Sequence, residues 1–251
     1  MKNEESVIQI ANTLRQSKRV LFITGAGISA ESGIPTYRGV GGLYEYGKTE
    51  EGLSIETILS GHVFQRKPKL TWKYLFQIEK ACRGAKPNRA HELIAEWQDR
   101  YQIWVLTQNV DGLHRKAGSR NIIEIHGSFH TLLCTDCDWR REVADYRTYS
   151  DLPLCPACGH VIRPDIVLFG EMLALNNLSM LQQQLNFGFD MVFSVGTSSL
   201  FPYITQPVQL ARQQGIPTVE INPRETDLSR VFTHKLRRSA VEALTEIHKK
   251  L

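Results

Sequence analysis

Apolar residues recur at helical spacing in Val7, Ile10, Ala11 and Leu14, behind Ser6-Val7-Ile8-Gln9, a capping-box match that predicts a helix start at Ser6. The pattern then changes to the unbroken run Arg19-Val20-Leu21-Phe22-Ile23-Thr24, which is short, apolar and stopped by glycine. Such a run predicts a strand buried on both faces. Helical periodicity returns over about 70–82, and again after Pro87-Asn88, where Leu93, Ile94 and Trp97 share one face. Strand runs follow at 102–107 and 121–126, with a short helix ending at Gly118 between them. A cysteine-bearing segment interrupts the alternation. It resumes with strand patterns at 165–169, 191–195 and 217–222, and helical patterns around 176–185, 204–213 and 239–250. Helix and strand alternating in this way predict an α/β fold, a parallel sheet with helices on both faces. Residues 39–60, with Gly39, Gly41, Gly42 and Gly47, carry no strand pattern.

At 251 residues, the chain makes one large domain or a domain with insertions, given ~150 residues per domain. Its 30 Lys and Arg stand against 26 Asp and Glu, and they are interspersed. No clustered basic footprint marks it for nucleic acid. Apolar runs reach four residues, as in Ile103–Leu106 (Ile103-Trp104-Val105-Leu106), where a membrane span needs ~20. Met1-Lys2-Asn3-Glu4-Glu5 is acidic where a secretory signal is basic and then apolar. A cytoplasmic protein is expected.

Four segments carry candidate chemistry. Gly25-x-Gly27-x-x-Ala30 follows the first strand and fits the dinucleotide fingerprint, in which glycines let the backbone approach a pyrophosphate at a helix N-terminus. A plain glycine turn fits the same run. The acidic residue expected ~20 positions on, at the end of a second strand, is missing: Glu45 has the spacing but no strand before it. A hydride-transferring dehydrogenase is therefore disfavoured. Cys134-x2-Cys137 and Cys155-x2-Cys158 have zinc-ribbon spacing. Four thiolates close a tetrahedron around Zn²⁺ and leave no place for water, which makes the role structural. The fifth cysteine, Cys82, is expected to be an inert buried thiol. Gln108, Asn109 and Asp111 follow the strand 102–107, and ligands of open parallel sheets bind beyond strand C-termini. A polar helix-capping turn explains them equally. His126 ends the strand 121–126 at the same sheet edge, where an imidazole suits general-base work on a hydroxyl. His62, His91, His130, His234 and His248 lack such company and read as surface or packing residues.

Together these motifs resemble the sirtuin family of NAD-dependent protein deacylases over residues 5–245. The resemblance includes Gly25-Ala26-Gly27-Ile28-Ser29, Gly33-Ile34-Pro35-Thr36-Tyr37-Arg38, Thr107-Gln108-Asn109-Val110-Asp111, His126-Gly127 and the four cysteines. It continues through Arg163-Pro164-Asp165-Ile166-Val167-Leu168-Phe169-Gly170-Glu171, Val195-Gly196-Thr197-Ser198 and Ile221-Asn222. It implies a Rossmann-like domain built from 1–38, 91–126 and 165–251. A cofactor loop and helical module would be inserted at 39–90, and a zinc-ribbon module at 127–164. It implies NAD against Gly25, Ala26, Gly27, Ile28, Ser29, Glu31, Tyr37, Arg38, Gly196, Thr197 and Ser198, with Asn222, Pro223 and Ala240 toward the adenosine. Gln108 would orient the nicotinamide ribose, Asn109 would take part in catalysis, and Val110 and Asp111 would hold the carboxamide. His126 would accept a proton relayed from the ribose hydroxyls. The products would be nicotinamide, free lysine and O-acyl-ADP-ribose. Acyl-lysine proteins or peptides would lie along Val167, Phe169, Gly170 and Glu171.

Departures bear on specificity. Tyr37 stands where most members have Phe, and Arg238 where glycine is common. In Leu200-Phe201-Pro202-Tyr203 the proline comes one place early. Gly41-Gly42-Leu43 resembles the subgroup that removes succinyl and malonyl groups by means of a Tyr-x-x-Arg pair. Those places align with Leu75 and Ile78 here, and reading from Tyr74 instead reaches Gln77. A buried carboxylate without a cation is disfavoured, so an apolar pocket for acetyl and longer aliphatic groups is expected. An ADP-ribosyltransferase or NAD glycohydrolase would use the same cleft. A non-enzymatic zinc-ribbon adaptor or NAD sensor would not need Asn109, Asp111 and His126 together.

Overall fold

The computed structural model describes residues 2–34 and 49–251. Helix α1 (Lys2–Gln16) leads into β1 (Arg19–Thr24), a single turn α2 (Ala26–Ser29) and a 3₁₀ turn over Ala30–Ser32. The helix begins upstream of Ser6, so the capping-box match lies inside it; Glu4 and Glu5 occupy the first turn, where carboxylates favour a helix start. Next come α3 (Ile55–Ile58), α4 (Gly61–Arg66), α5 (Pro68–Cys82) and α6 (Arg89–Trp97). Asn88 caps α6 with its side-chain oxygen, accepting from Ala90 N at 3.0 Å.

The second half of the chain contributes β2 (Gln102–Thr107), α7 (Leu113–Lys116), β3 (Ile122–Glu124), β4 (Gly127–Cys134), β5 (Arg140–Glu142) and β6 (Ile162–Ile166). It ends with α8 (Leu175–Phe187), β7 (Met191–Val195), α9 (Pro202–Gln213), β8 (Thr218–Ile221), β9 (His234–Leu236) and α10 (Ala240–His248). Among the described residues, six strands form a parallel sheet in the order β3-β2-β1-β7-β8-β9. The chain winds outward from β1 to β3 on one side and from β7 to β9 on the other. The topological switch, where ligands of doubly wound sheets bind, therefore lies between β1 and β7.

Both faces of this sheet are covered. Val7, Ile10 and Leu14 of α1 pack with Leu93, Ile94, Leu244 and Ile247 against Phe22 and Phe193, whose rings stack at 4.5 Å. Leu181, Ile204 and Val208 cover Leu21, Ile23 and Leu106 on the other face. A third apolar cluster joins α3, α4 and α5 to the small sheet β5-β4-β6. Trp72 of α5 donates its indole N–H to Ile162 O at 2.9 Å across that boundary.

One strand expectation is corrected. The apolar run at 165–169 is not a member of the parallel sheet: its first residues end β6, which pairs antiparallel with β4. The remainder crosses between layers, with Val167 N donating to His126 O and Phe169 N to Leu59 O, each at 2.9 Å. Gly127, at φ +81°, turns the chain directly from the edge of the parallel sheet into β4. A Cβ there would come 1.9 Å from Asp165 O.

Candidate active site and metal centre

At the switch point the loops after β1 and β7 interlock. Gly25 N donates to Val195 O at 3.1 Å, and Gly27 N to Gly196 O at 2.8 Å. A Cβ on Gly27 would lie 2.6 Å from Gly196 Cα. The two glycines are thus required by backbone meeting backbone, before any pyrophosphate is considered. The helix behind them is one four-residue turn, so dipole support there is local, with Ala26 and Ile28 on that turn.

The residues after β2 are drawn onto the same edge. Gln108 donates from Nε2 to Thr197 Oγ1 at 2.7 Å, which ties the β2 and β7 loops together. Asn109 donates from Nδ2 to Gly25 O at 3.1 Å and to Ser29 Oγ at 3.2 Å. Asp111, 8% exposed, accepts from Ser29 Oγ at 2.7 Å and from Leu113 N at 2.9 Å, opening α7. Val110 borders the third apolar cluster.

Two histidines that the sequence offered no reason to bring here also converge on this group. His91 Nε2 lies 3.5 Å from Ser29 Oγ, and His130 Nε2 lies 3.2 Å from Asp111 O. His91 packs edge-on to His114 at 4.9 Å. Burial pushes His91 down to about 4, against the opposing pull of Asp111. It pushes His114, which is bonded to Thr24 Oγ1 at 3.0 Å, down as well. No spacing pattern could have found these contacts, because each joins separate helices and strands.

His126 sits where β3 gives way to β4. Its Nδ1 is 3.0 Å from Gln108 O, a carbonyl that only accepts, so Nδ1 carries the proton. Nε2 is therefore a free acceptor, and Tyr203 donates its hydroxyl to it at 2.7 Å. Burial lowers the imidazole's pKa, although the Gln108 carbonyl opposes this, and the ring is neutral at pH 7.

The adenosine-side candidates are less uniform. Asn222 donates from Nδ2 to Thr197 O at 3.0 Å, Ser198 and Pro223 are exposed, and Ala240 is buried as the first residue of α10. Glu31 accepts from Val241 N at 3.1 Å, so it caps the start of α10 from across the loop. Tyr37 and Arg38, with Gly41, Gly42 and Leu43, lie outside the described residues.

On the substrate side, Phe169 and Gly170 are exposed beside Val167. Glu171 receives both Arg163 amino groups, at 2.6 and 2.9 Å, and Leu168 N at 2.9 Å. Burial pushes the Glu171 carboxyl up, but Arg163 and the Leu168 N–H outweigh it and hold its pKa below the usual range. Its oxygens are thus engaged in holding the 163–171 segment. Leu75 and Ile78 are fully buried on α5, in the cluster that includes Leu168 and Phe129.

The four cysteine sulfurs of Cys134, Cys137, Cys155 and Cys158 lie within 4.8 Å of one another. Cys134 Sγ is 3.4 Å from Cys158 Sγ, and Cys137 Sγ is 3.6 Å from Cys155 Sγ. A tetrahedron with ~2.3 Å zinc–sulfur bonds has edges of ~3.8 Å, so the thiol set fits Zn²⁺. Asp136 N and Cys137 N point at Cys134 Sγ from 3.4 and 3.5 Å, the donors that steady a thiolate.

A family model described as Sir2 matches residues 25–201. An NAD-dependent protein deacylase 2 of Pseudomonas aeruginosa is 47% identical over 251 residues, covering 98% of each chain. A solved Sir2 homologue mutant in complex with 2'-O-acetyl ADP ribose is 35% identical, with a TM-score of 0.86 over 96% of this chain and 94% of that one. A Sir2 mutant solved with a deacetylated p53 peptide and 3'-O-acetyl ADP ribose is 30% identical, with a TM-score of 0.86 over 96% and 97%.

Proposed function

Because the chain belongs to the Sir2 family, we propose that it is an NAD-dependent protein-lysine deacylase that passes the acyl group to ADP-ribose. The observation that carries this reading is the single edge shared by Gly25, Gln108, Asn109, His126 and Thr197. The donor set at the switch point suits a dinucleotide. When bound, NAD supplies an activated bond between nicotinamide and ribose. The Gly25–Ser29 turn, Thr197, Ser198 and Asn222 would hold its pyrophosphate and adenosine, with Glu31, Pro223 and Ala240 bordering the adenosine end. Gln108, held by Thr197, would orient the second ribose, and Asn109, Val110 and Asp111 would bind the carboxamide. Asp111 is supported by Ser29, so its carboxylate is fixed before ligand arrives. Neutral His126 offers Nε2 as the acceptor for a ribose hydroxyl proton.

The acylated protein or peptide would run along Val167, Phe169 and Gly170, in a segment that the Val167 N–H ties to the His126 carbonyl. Main-chain pairing at such an edge gives affinity with little side-chain selectivity. The acyl chain would meet the apolar cluster that includes Leu75, Ile78, Val110 and Phe129. Acetyl and longer aliphatic groups suit these walls, and a succinyl carboxylate does not. Zn²⁺ on the four cysteines would be structural, holding the β4–β6 layer in shape.

The test is a panel of acetyl-, butyryl-, malonyl- and succinyl-lysine peptides incubated with NAD, with products followed by mass. Acetyl and butyryl removal with matching O-acyl-ADP-ribose is expected. Efficient desuccinylation at neutral pH contradicts the apolar pocket. Nicotinamide release without an acylated peptide points instead to ADP-ribosyl transfer or NAD hydrolysis.

A further inference from the structure

The segment after β7 places an aromatic pair over the histidine. Ser199 takes φ +54° and the chain then enters α9 at Pro202, which puts Tyr203 in the first helical turn. Phe201 and Tyr203 stack at 5.3 Å with 9° between their planes. Both stand edge-to-face to His126, each at 5.8 Å. The early proline noted in the sequence creates this arrangement, because Pro202 starts the helix and so sets where the phenol falls.

The tautomer follows from the partners. Gln108 O accepts from Nδ1, so Nε2 has a lone pair and no proton, and the Tyr203 O–H points at it. Burial raises the Tyr203 phenol to about 12, which keeps it a donor at physiological pH. The nitrogen that the deacylase reading needs as a base therefore already holds a hydroxyl partner. Among the described residues the Gln108 carbonyl, the Phe201 ring and the Tyr203 ring and hydroxyl meet the imidazole, and burial with the Gln108 carbonyl sets its pKa.

We propose that Tyr203 is a positioning residue for His126: its hydroxyl occupies Nε2 and holds the ring neutral and aimed into the cleft, until a hydroxyl of the cofactor ribose takes its place. This rests on the deacylase reading for its purpose, though not for its measurement. A hydrogen bond donated to the neutral imidazole disfavours protonation. Removing it therefore raises the pKa of His126. It also spares the ligand a bond that must otherwise be broken.

Tyr203→Phe keeps the stack with Phe201 and deletes only the oxygen. In the variant free of ligand, NMR titration of His126 is expected to show a pKa higher by ~0.5–1 unit. ADP-ribose should bind ~2- to 10-fold more tightly, and the acid limb of kcat/KM should move to higher pH by the same amount as the imidazole. An unmoved titration, or unchanged or weaker ADP-ribose binding, overturns the proposal. Should the variant fail to fold, nitrogen-15 shifts of His126 in the wild-type protein decide. A protonated Nδ1 and bare Nε2 at pH 7, with the Nε2 signal moving when ADP-ribose is added, supports the arrangement; the opposite tautomer or a static signal refutes it. A chain that deacylates normally with an unmoved titration loses this inference alone. One that fails to deacylate loses the functional reading, while the imidazole still reports on Tyr203.

Discussion

His126 is neutral because burial outweighs the Gln108 carbonyl on Nδ1, which by itself favours the protonated ring. His126→Ala should keep ADP-ribose binding, measured by calorimetry, while turnover falls by at least ~10²-fold, the lower end of general-base contributions. Loss of binding in step with turnover would mean that the ring acts by holding the nucleotide rather than by accepting a proton. At this scale the sequence was informative where one strand end carries one chemical group, as with His126, Gln108 and Asn109. It was silent where the site is assembled from distant pieces. His91 reaches Ser29 from α6, His130 reaches Asp111 from β4, and Tyr203 reaches His126 from α9. The glycines of the fingerprint were found for a reason that the structure enlarges. Gly27 is needed because Gly196 lies against it, a contact between residues far apart in the chain.

Among the elements, β1, β2 and β7 were legible residue for residue, since a strand buried on both faces writes an unbroken apolar run. The run at 165–169 looked the same, yet it bridges layers, because apolar composition alone does not distinguish a sheet strand from a buried crossing segment. That segment is held by the ion pair of Arg163 with Glu171, which also fixes Leu168 N, and by that of Arg140 with Asp165. Glu171→Gln should therefore raise KM for an acetyl-lysine peptide several-fold, with kcat and KM for NAD little changed. Steady-state kinetics with each substrate varied in turn checks this, and a change confined to NAD would contradict it. β9 escaped sequence reading because three residues at a sheet margin leave too short a pattern. Helix α1 was found but started late, because the capping-box match at Ser6 lies inside the helix rather than at its start.

Across the molecule the described residues form three apolar clusters, and the third belongs jointly to the helical segment and the small sheet. Trp72 and Tyr146 meet in it at 5.6 Å, and Tyr146 donates to Phe129 O at 2.7 Å. Chelation of the Zn²⁺ proposed for the four thiols should therefore remove more than a knuckle. The near-ultraviolet circular dichroism of Trp72, Trp139 and Tyr146 should collapse while most far-ultraviolet helicity persists, and deacylase activity should be lost. Unchanged spectra in metal-free protein would show that the thiols do not need an ion.

The buried histidines impose a separate, global pH dependence. His91, His114 and His126 all have pKa values lowered by burial, His91 to about 4. The unfolded chain binds more protons than the folded one once pH falls below ~6.5. Their contribution is complete above that value and declines as pH falls toward 4. Urea midpoints should drop between pH 7 and pH 5, and a flat or rising midpoint would contradict the burial.

The most direct measurement of the chemistry is the ratio of products formed from NAD and an acetyl-lysine peptide, quantified by mass in one reaction. Nicotinamide, deacetylated peptide and O-acetyl-ADP-ribose in equal amounts, with no nicotinamide when the peptide is unacetylated, is the predicted result. Nicotinamide formed at the same rate without the acetyl group would contradict it.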